Sequence, residues 1–394
     1  MKKSAVLALS ALFTVSAFSL ETKGIISNES QLSFSENDYS VPSLVQKDSL
    51  TASLRQPLSQ SGKTYFSAEA MVSFEYDRTF SDPAYDDTEI LADLTLFKLA
   101  SKIPVNKANF CIAAGRFSMA DATSRIYNQN ADGILLQYLS PYIELNAYGA
   151  YTGLLNAKTV TILTPVASAY GSNSDKDFYD FATAYIAGAL SIKFPYLLFN
   201  QSITAECFAF ISTEGPGEMT AEDDKRIYGT LALDGPLSSS FFYNASTSFL
   251  FSEEMDYKAA NYSAIKADIF PSESFMLSVS GCYASGKQGA FEAFTTFTAS
   301  TAGLNVSEKK YNALAMGGLA CAARISPEVI LNLGGDILFD IPETEAEYSG
   351  TQVSAALTYQ AFTDLSLSLS AQTFIADKEE ESKSTFKLML SLAF

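Results

Sequence analysis

Residues 385–394 read TFKLMLSLAF, and this stretch decides the fold. Phe386, Leu388, Leu390, Leu392 and Phe394 share one parity, whereas Lys387, Met389, Ser391 and Ala393 share the other. Strand side chains alternate between two faces, so one face here is wholly apolar and the other mixed. The apolar face runs out to Phe394 itself. A soluble sheet needs a second layer over such a face, but a strand lying against lipid does not.

The other end of the chain supports export. Lys2 and Lys3 precede an apolar run at residues 5–15, and Ala17-Phe18-Ser19 is a small-x-small cleavage pattern. The expectation is a signal peptide over residues 1–19 and a single barrel domain over 20–394. The apolar run is shorter than the about 20 residues that a spanning helix needs. No later stretch is long and apolar enough to be one, so any membrane crossing is expected to use strands.

Composition narrows function. Lys and Arg total 26 against 44 Asp and Glu, a formal charge of −18. With no basic stripe, nucleic acid is not an expected partner. The chain has no His, which removes the ordinary nucleophilic triad and its general base. No paired-carboxylate motif replaces it, so no enzyme activity and no cofactor are expected. Cys111, Cys207, Cys282 and Cys321 form no CxxC and sit among apolar neighbours, where each reads as a small hydrophobe rather than a metal ligand. The 29 Phe and 21 Tyr can supply interfacial girdles without Trp.

Alternating segments recur along the whole chain, with short turns and longer loops taking turns between them. The first, at residues 24–35, is weakly patterned, and residues 20–48 read either as a first strand or as a plug. Residues 65–76 are clearer: Phe66, Ala68, Ala70, Val72 and Phe74 oppose Ser67, Glu69, Ser73 and Glu75. The next segment puts Ile90, Ala92, Leu94 and Leu96 outward and Asp93 and Thr95 inward. Pro195-Tyr196, Gly235-Pro236, Pro271-Ser272 and Ser326-Pro327 read as hairpin turns. The expected fold is all-β: a transmembrane antiparallel up-and-down β-barrel of about 18 strands, with 16 as the alternative.

Taken together, the signal peptide, the alternating hairpins and the aromatic end resemble bacterial porin-like outer-membrane proteins. The stretch DGILLQYLSPYIELNAYGAYTG at residues 132–153 resembles a porin hairpin with a tight periplasmic turn. The resemblance implies an outer-membrane location and a lumen for passive diffusion of small hydrophilic solutes. It also implies recognition of Phe386, Leu388, Leu390, Leu392 and Phe394 by the barrel-assembly machinery. By the same resemblance the loop after the fifth strand constricts the pore; it holds Asp121, Arg125 and Asp132. The PEFGG-type signature of enterobacterial porins is absent, and homo-oligomeric assembly stays open.

Parity assigns the pore lining directly. Glu69, Glu75, Asp93, Glu144, Glu206, Asp268 and Asp336 are expected inward, with Lys193, Lys266, Arg324 and Lys387. The acidic excess points to cation preference. The parity of Arg116 is ambiguous. Two other functions compete: a surface adhesin or structural barrel, and a transporter of hydrophobic solutes with an N-terminal hatch.

Overall fold

A computed structural model describes residues 20–35, 42–80, 85–160, 162–163, 179–213, 224–253, 258–287, 291–298, 309–342, 345–377 and 382–394. The signal-peptide expectation falls on residues outside these. Eighteen strands alternate without a helix among the described residues. They are β1 (Glu21–Ser35), β2 (Ser43–Pro57), β3 (Thr64–Thr79), β4 (Tyr85–Val105), β5 (Ala108–Ala120) and β6 (Asn128–Leu139). Then come β7 (Glu144–Tyr151), β8 (Tyr185–Leu198), β9 (Gln201–Ser212), β10 (Lys225–Ser238), β11 (Phe241–Ser252) and β12 (Ala259–Ser272). The last six are β13 (Phe275–Ala284), β14 (Leu314–Ser326), β15 (Val329–Asp340), β16 (Glu347–Gln360), β17 (Leu365–Ala376) and β18 (Lys383–Ala393).

Each strand pairs antiparallel with the next, and β1 also pairs with β18 from Ile25↔Ala393 to Ser35↔Lys383. The sheet is therefore a closed barrel of 18 strands and has no edge. β1 and β2 are wall strands throughout, so neither forms a plug. The turns at the end carrying both termini are two to six residues long, and the long loops lie at the other end.

Cross-strand partners point to the same face, so the register sorts the whole wall. Val72, Phe74, Ile90, Leu190, Leu231, Leu319, Leu369 and Leu388 are exposed on the outside. With no water in hydrocarbon, every backbone group must pair within the wall, and closure achieves this. Ser27, Ser49 and Ser73 lie in register on the inside, as do Ser366, Ser368 and Ser370 with their partners on β18.

Two expectations are corrected. Leu96 is inward: it pairs with the inward Glu69, whereas Leu94 pairs with Ala70 and Phe97 with Ala68. One residue, Thr95, is bulged out of the ladder, and its hydroxyl donates to Glu69 O (3.3 Å) and Glu69 Oε1 (2.7 Å). The bulge flips the parity of everything after it. Pro195, Pro236 and Pro271 are not at hairpin tips. β8, β10 and β12 run past them, and the ladder slips between Phe194 and Leu198, Pro236 and Ser238, and Ile269 and Ser272. Proline cannot donate to a ladder, so it settles where the ladder is already broken. The tips themselves are pairs such as Phe199-Asn200, both with positive φ (50° and 63°), as a twisted two-residue hairpin turn requires.

Candidate functional site

The lumen is shaped by strands that leave the wall. β4 pairs with β5 only from Phe97↔Arg116 to Val105↔Ala108. β5 nevertheless continues to Ala120, paired with β6. β7 in turn meets β6 only from Asp132 onward. Residues 117–120 and 128–131 thus pair with each other alone, as a two-stranded ribbon. The departure is set by Gly115, at φ +115°, where a Cβ would sit 2.0 Å from Phe97 O. Only glycine fits that close approach.

Beyond the kink, Arg116 points back between ribbon and wall. Its Nε and Nη2 donate to the Asp132 carboxylate (3.0 and 2.8 Å), and Nη1 lies 3.6 Å from Asp93 Oδ1. The same guanidinium donates to Leu94 O (3.1 Å) and Leu154 O (2.6 Å). The vacated wall is filled by residues 152–160. Asn156 Nδ2 donates to Ala92 O (3.2 Å), Thr159 Oγ1 to Asp93 Oδ2 (2.9 Å), and Lys158 Nζ lies 2.6 Å from Glu89.

The ribbon crosses to β9 and β10. Ala122 N donates to Glu206 Oε1 (2.9 Å). Tyr127 packs on Phe208 and Phe210, with ring centroids 5.2 and 5.5 Å away. Ile126 O accepts from Phe297 N (2.9 Å) and Thr298 N (3.1 Å), which belong to the loop between β13 and β14. Phe297 stacks on Phe210 at 3.6 Å, and Phe294 on Tyr262 at 5.5 Å. Beside Phe210 in the ladder, Arg226 is fully buried; its Nε donates to Asp224 (2.9 Å) and its guanidinium lies 5.2 Å over the Phe297 ring. The result is an aromatic plug on one side of the lumen. Among the described residues, the buried apolar cluster includes no residue of β16–β18 or β1–β3.

The constriction candidates separate on inspection. Asp121 is buried and holds the ribbon tip: its carboxylate accepts from the amides of Thr123 (2.7 Å), Arg125 (3.1 Å), Ile126 (2.9 Å) and Tyr127 (2.8 Å). Asp132 is taken up by Arg116. Arg125 is exposed to the lumen, 5.5 Å over the Tyr311 ring.

The wall candidates carry more cations beside them than parity suggested. Register places Glu69, Glu75, Asp93, Glu144, Glu206, Asp268 and Asp336 on the inner face, with Lys193, Lys266, Arg324 and Lys387. Glu75 pairs with Lys47 (3.0 Å), Asp268 with Lys266 (3.0 Å) and Lys387 with Glu29 (2.6 Å); Lys193 is 3.8 Å from Asp234. Asp336 lies over Gly318, where a Cβ would meet its Oδ1 at 2.1 Å. Glu69, Glu144 and Glu206 make no ion pair with any described residue. Beneath the ribbon, Glu206, Lys193, Asp234, Asn146, Asn244 and Gln137 line a polar cavity of about 330 Å³. Among the described residues no group of three His, Cys, Asp or Glu side chains is placed to hold a metal.

At the closing strand, Phe386, Leu388, Leu390, Leu392 and Phe394 are all exposed on the outer face. Phe394 exchanges two backbone hydrogen bonds with Gly24 (2.8 and 2.9 Å), and its ring lies where a Gly24 Cβ would be, 2.4 Å away.

No protein-family model matches the chain, and no curated protein sequence matches it. Solved structures do. It is similar to Pseudomonas aeruginosa OccK7 (OpdD), with a TM-score of 0.60 and 10% identity over 95% of this chain and 98% of that one. The outer membrane protein OprD of Pseudomonas aeruginosa gives 0.58 and 12%, over 95% and 93%. OccAB4 of Acinetobacter baumannii gives 0.56 and 12%, over 95% and 98%. At such low identity what is shared is the fold: the chain is an 18-stranded closed antiparallel barrel of the outer-membrane type.

Proposed function

We propose that this chain is a porin-like channel of a bacterial outer membrane, through which small hydrophilic solutes diffuse passively. One observation carries the reading. Inside a closed wall with an apolar outer belt, an aromatic plug fills one side, while β16–β18 and β1–β3 face it with hydroxyls, amides and ion pairs. A polar passage beside a constriction suits hydrated solutes. The hatch reading loses its part, because the described residues of 20–48 are wall strands.

In this reading the termini lie on the periplasmic side, residues 1–19 direct export, and the exposed apolar row of β18 docks on the barrel-assembly machinery. The ribbon of residues 117–131 is the constriction, and Arg125 is its charged tip. Cation preference comes from Glu69, Glu144, Glu206 and Asp336, inward carboxylates without an ion pair to any described residue. Their neighbours Glu75, Asp93 and Asp268 are neutralised locally and add little.

Purified, refolded protein in planar bilayers tests the reading. Discrete conductance steps, with swelling of liposomes in small sugars, are expected. A barrel that shifts on gels when heated yet gives neither steps nor swelling would be the structural or adhesive barrel instead.

A further inference from the structure

The outer face of β1 and β2 breaks the apolar belt. Asn28, Ser30, Gln46 and Asp48 all point outward, because they share register with Leu390, Leu388, Tyr76 and Phe74. Gln46 and Asp48 lie toward the rim, since outward Arg78 faces Leu44 one step above them, while Asn28 and Ser30 lie within the belt beside Leu390 and Leu388. On β1 they lie between outward Ile26 and Leu32, and on β2 between outward Leu44 and Leu50. Leu388 and Leu390 flank them on one side, Phe74 and Tyr76 on the other. Among the described residues, Asp48 is the one Asp, Glu, Lys or Arg on this face with apolar outward residues both above and below it on its own strand, Leu44 and Leu50. A carboxylate in hydrocarbon is penalised, and lipid tails offer it neither donor nor acceptor.

The island is only half satisfied from within. Asn28 Nδ2 donates to Asp48 Oδ1 (2.6 Å), and Ser30 Oγ donates to Gln46 Oε1 (2.5 Å). That leaves the Gln46 amide hydrogens and the second Asn28 hydrogen as free donors. Asp48 Oδ2 and Asn28 Oδ1 remain as free acceptors. The contrast with a second outward polar group is instructive. Thr247, Asn261 and Ser263 bond to one another (2.9, 3.1 and 3.1 Å) and close on themselves.

We propose that this island is the contact through which two copies of the chain associate side by side in the membrane. Unmatched donors and acceptors on one small patch are self-complementary: a two-fold axis brings the amides of each copy to the Asp48 of the other. The apolar residues around the island then pack against their equivalents. The inference rests on the reading that the outer belt faces lipid, and not on conduction.

The test uses the full barrel refolded into nanodiscs of phosphatidylcholine and phosphatidylglycerol, with copies counted by single-molecule photobleaching. Two copies per assembly are expected. Asp48→Leu with Asn28→Leu should lower the association constant at least tenfold while the heat-induced gel shift persists. A second measurement covers a variant that misfolds. With the four native cysteines changed to Ala, Ser30→Cys should form a disulfide-linked dimer, and Val279→Cys on β13 should not. Single copies of the unaltered chain would overturn the proposal, since a headgroup or a different protein would then be the partner. So would equal crosslinking at both positions. A dimer that conducts nothing would leave the contact standing and sink only the channel reading.

Discussion

Removing the Asp121 carboxylate should release the constriction. In the structure it accepts four backbone amides of the ribbon tip, from Thr123, Arg125, Ile126 and Tyr127. Arg125 and Thr123 can turn to water, because neither residue is buried. Ile126 and Tyr127 cannot, since both are fully buried under the plug. An orphaned buried donor costs about 1–3 kcal/mol, so Asp121→Ala should weaken the docked tip by about 2–6 kcal/mol. Each 1.4 kcal/mol is a factor of about ten in population, so the undocked ribbon rises by about 30-fold or more. The wall keeps its ladder because residues 121–127 lie outside it. Single-channel recording should therefore show a larger or noisier conductance from a barrel that still closes and still shifts on gels when heated. Asp121→Asn, which keeps one acceptor oxygen, should fall between. If Asp121→Ala folds and conducts with the parent's amplitude and noise, the ribbon is not the narrow part.

Three further outcomes are expected. Glu69→Lys with Glu144→Lys reverses two unpaired inward carboxylates and should lower cation preference; an unchanged reversal potential in a salt gradient would place them away from the narrow part. Arg226→Met takes the guanidinium from the buried Asp224, which keeps the Tyr185 hydroxyl (2.6 Å), and removes the cation over Phe297, so unfolding in urea should be easier by about 3–5 kcal/mol; an unaltered midpoint would refute the account of the plug. Deleting Phe394 removes two backbone bonds and an exposed ring, worth about 1–3 kcal/mol in all; yield in the outer membrane should drop far more than refolded stability, and the opposite ranking would remove its role as an assembly signal.

How much of this was legible in the sequence depended on alternation. Where a strand has lipid on one side, as at Phe66 to Phe74 or Leu388 to Phe394, the period of two survives intact and the wall can be read. It fails wherever the ladder slips. The bulge at Thr95 turned Leu96 inward. Pro195, Pro236 and Pro271 look like turn residues but sit at slips inside long strands. Arg116 had no definable parity because Gly115 bends the strand at that point. The aromatic plug left no periodic trace at all: Phe294 and Phe297 belong to a loop, and their packing is set by residues far along the chain. Ion pairing was hidden for a related reason. Glu75 meets Lys47, and Asp93 meets Arg116, only once register is known. Two features do carry a sequence signal in hindsight: the outward polar run at Asn28 and Ser30, and Asp121 placed just before a turn.

The pairing of β1 with β18 has a kinetic side. Every other strand pairs with its neighbour in sequence, so 17 of the 18 contacts can form locally. The last joins Ser33 to Thr385, 352 residues apart. Closing a loop of that length costs about 5 kcal/mol in chain entropy, and nothing repays it until both ends are present. The rate of folding should therefore be governed by this one event, with an open, 17-contact sheet as the species that precedes it. That intermediate exposes two raw edges of matching register. A high protein concentration during refolding should favour chains that zip β18 of one to β1 of the next, and dilute refolding should favour closed single barrels.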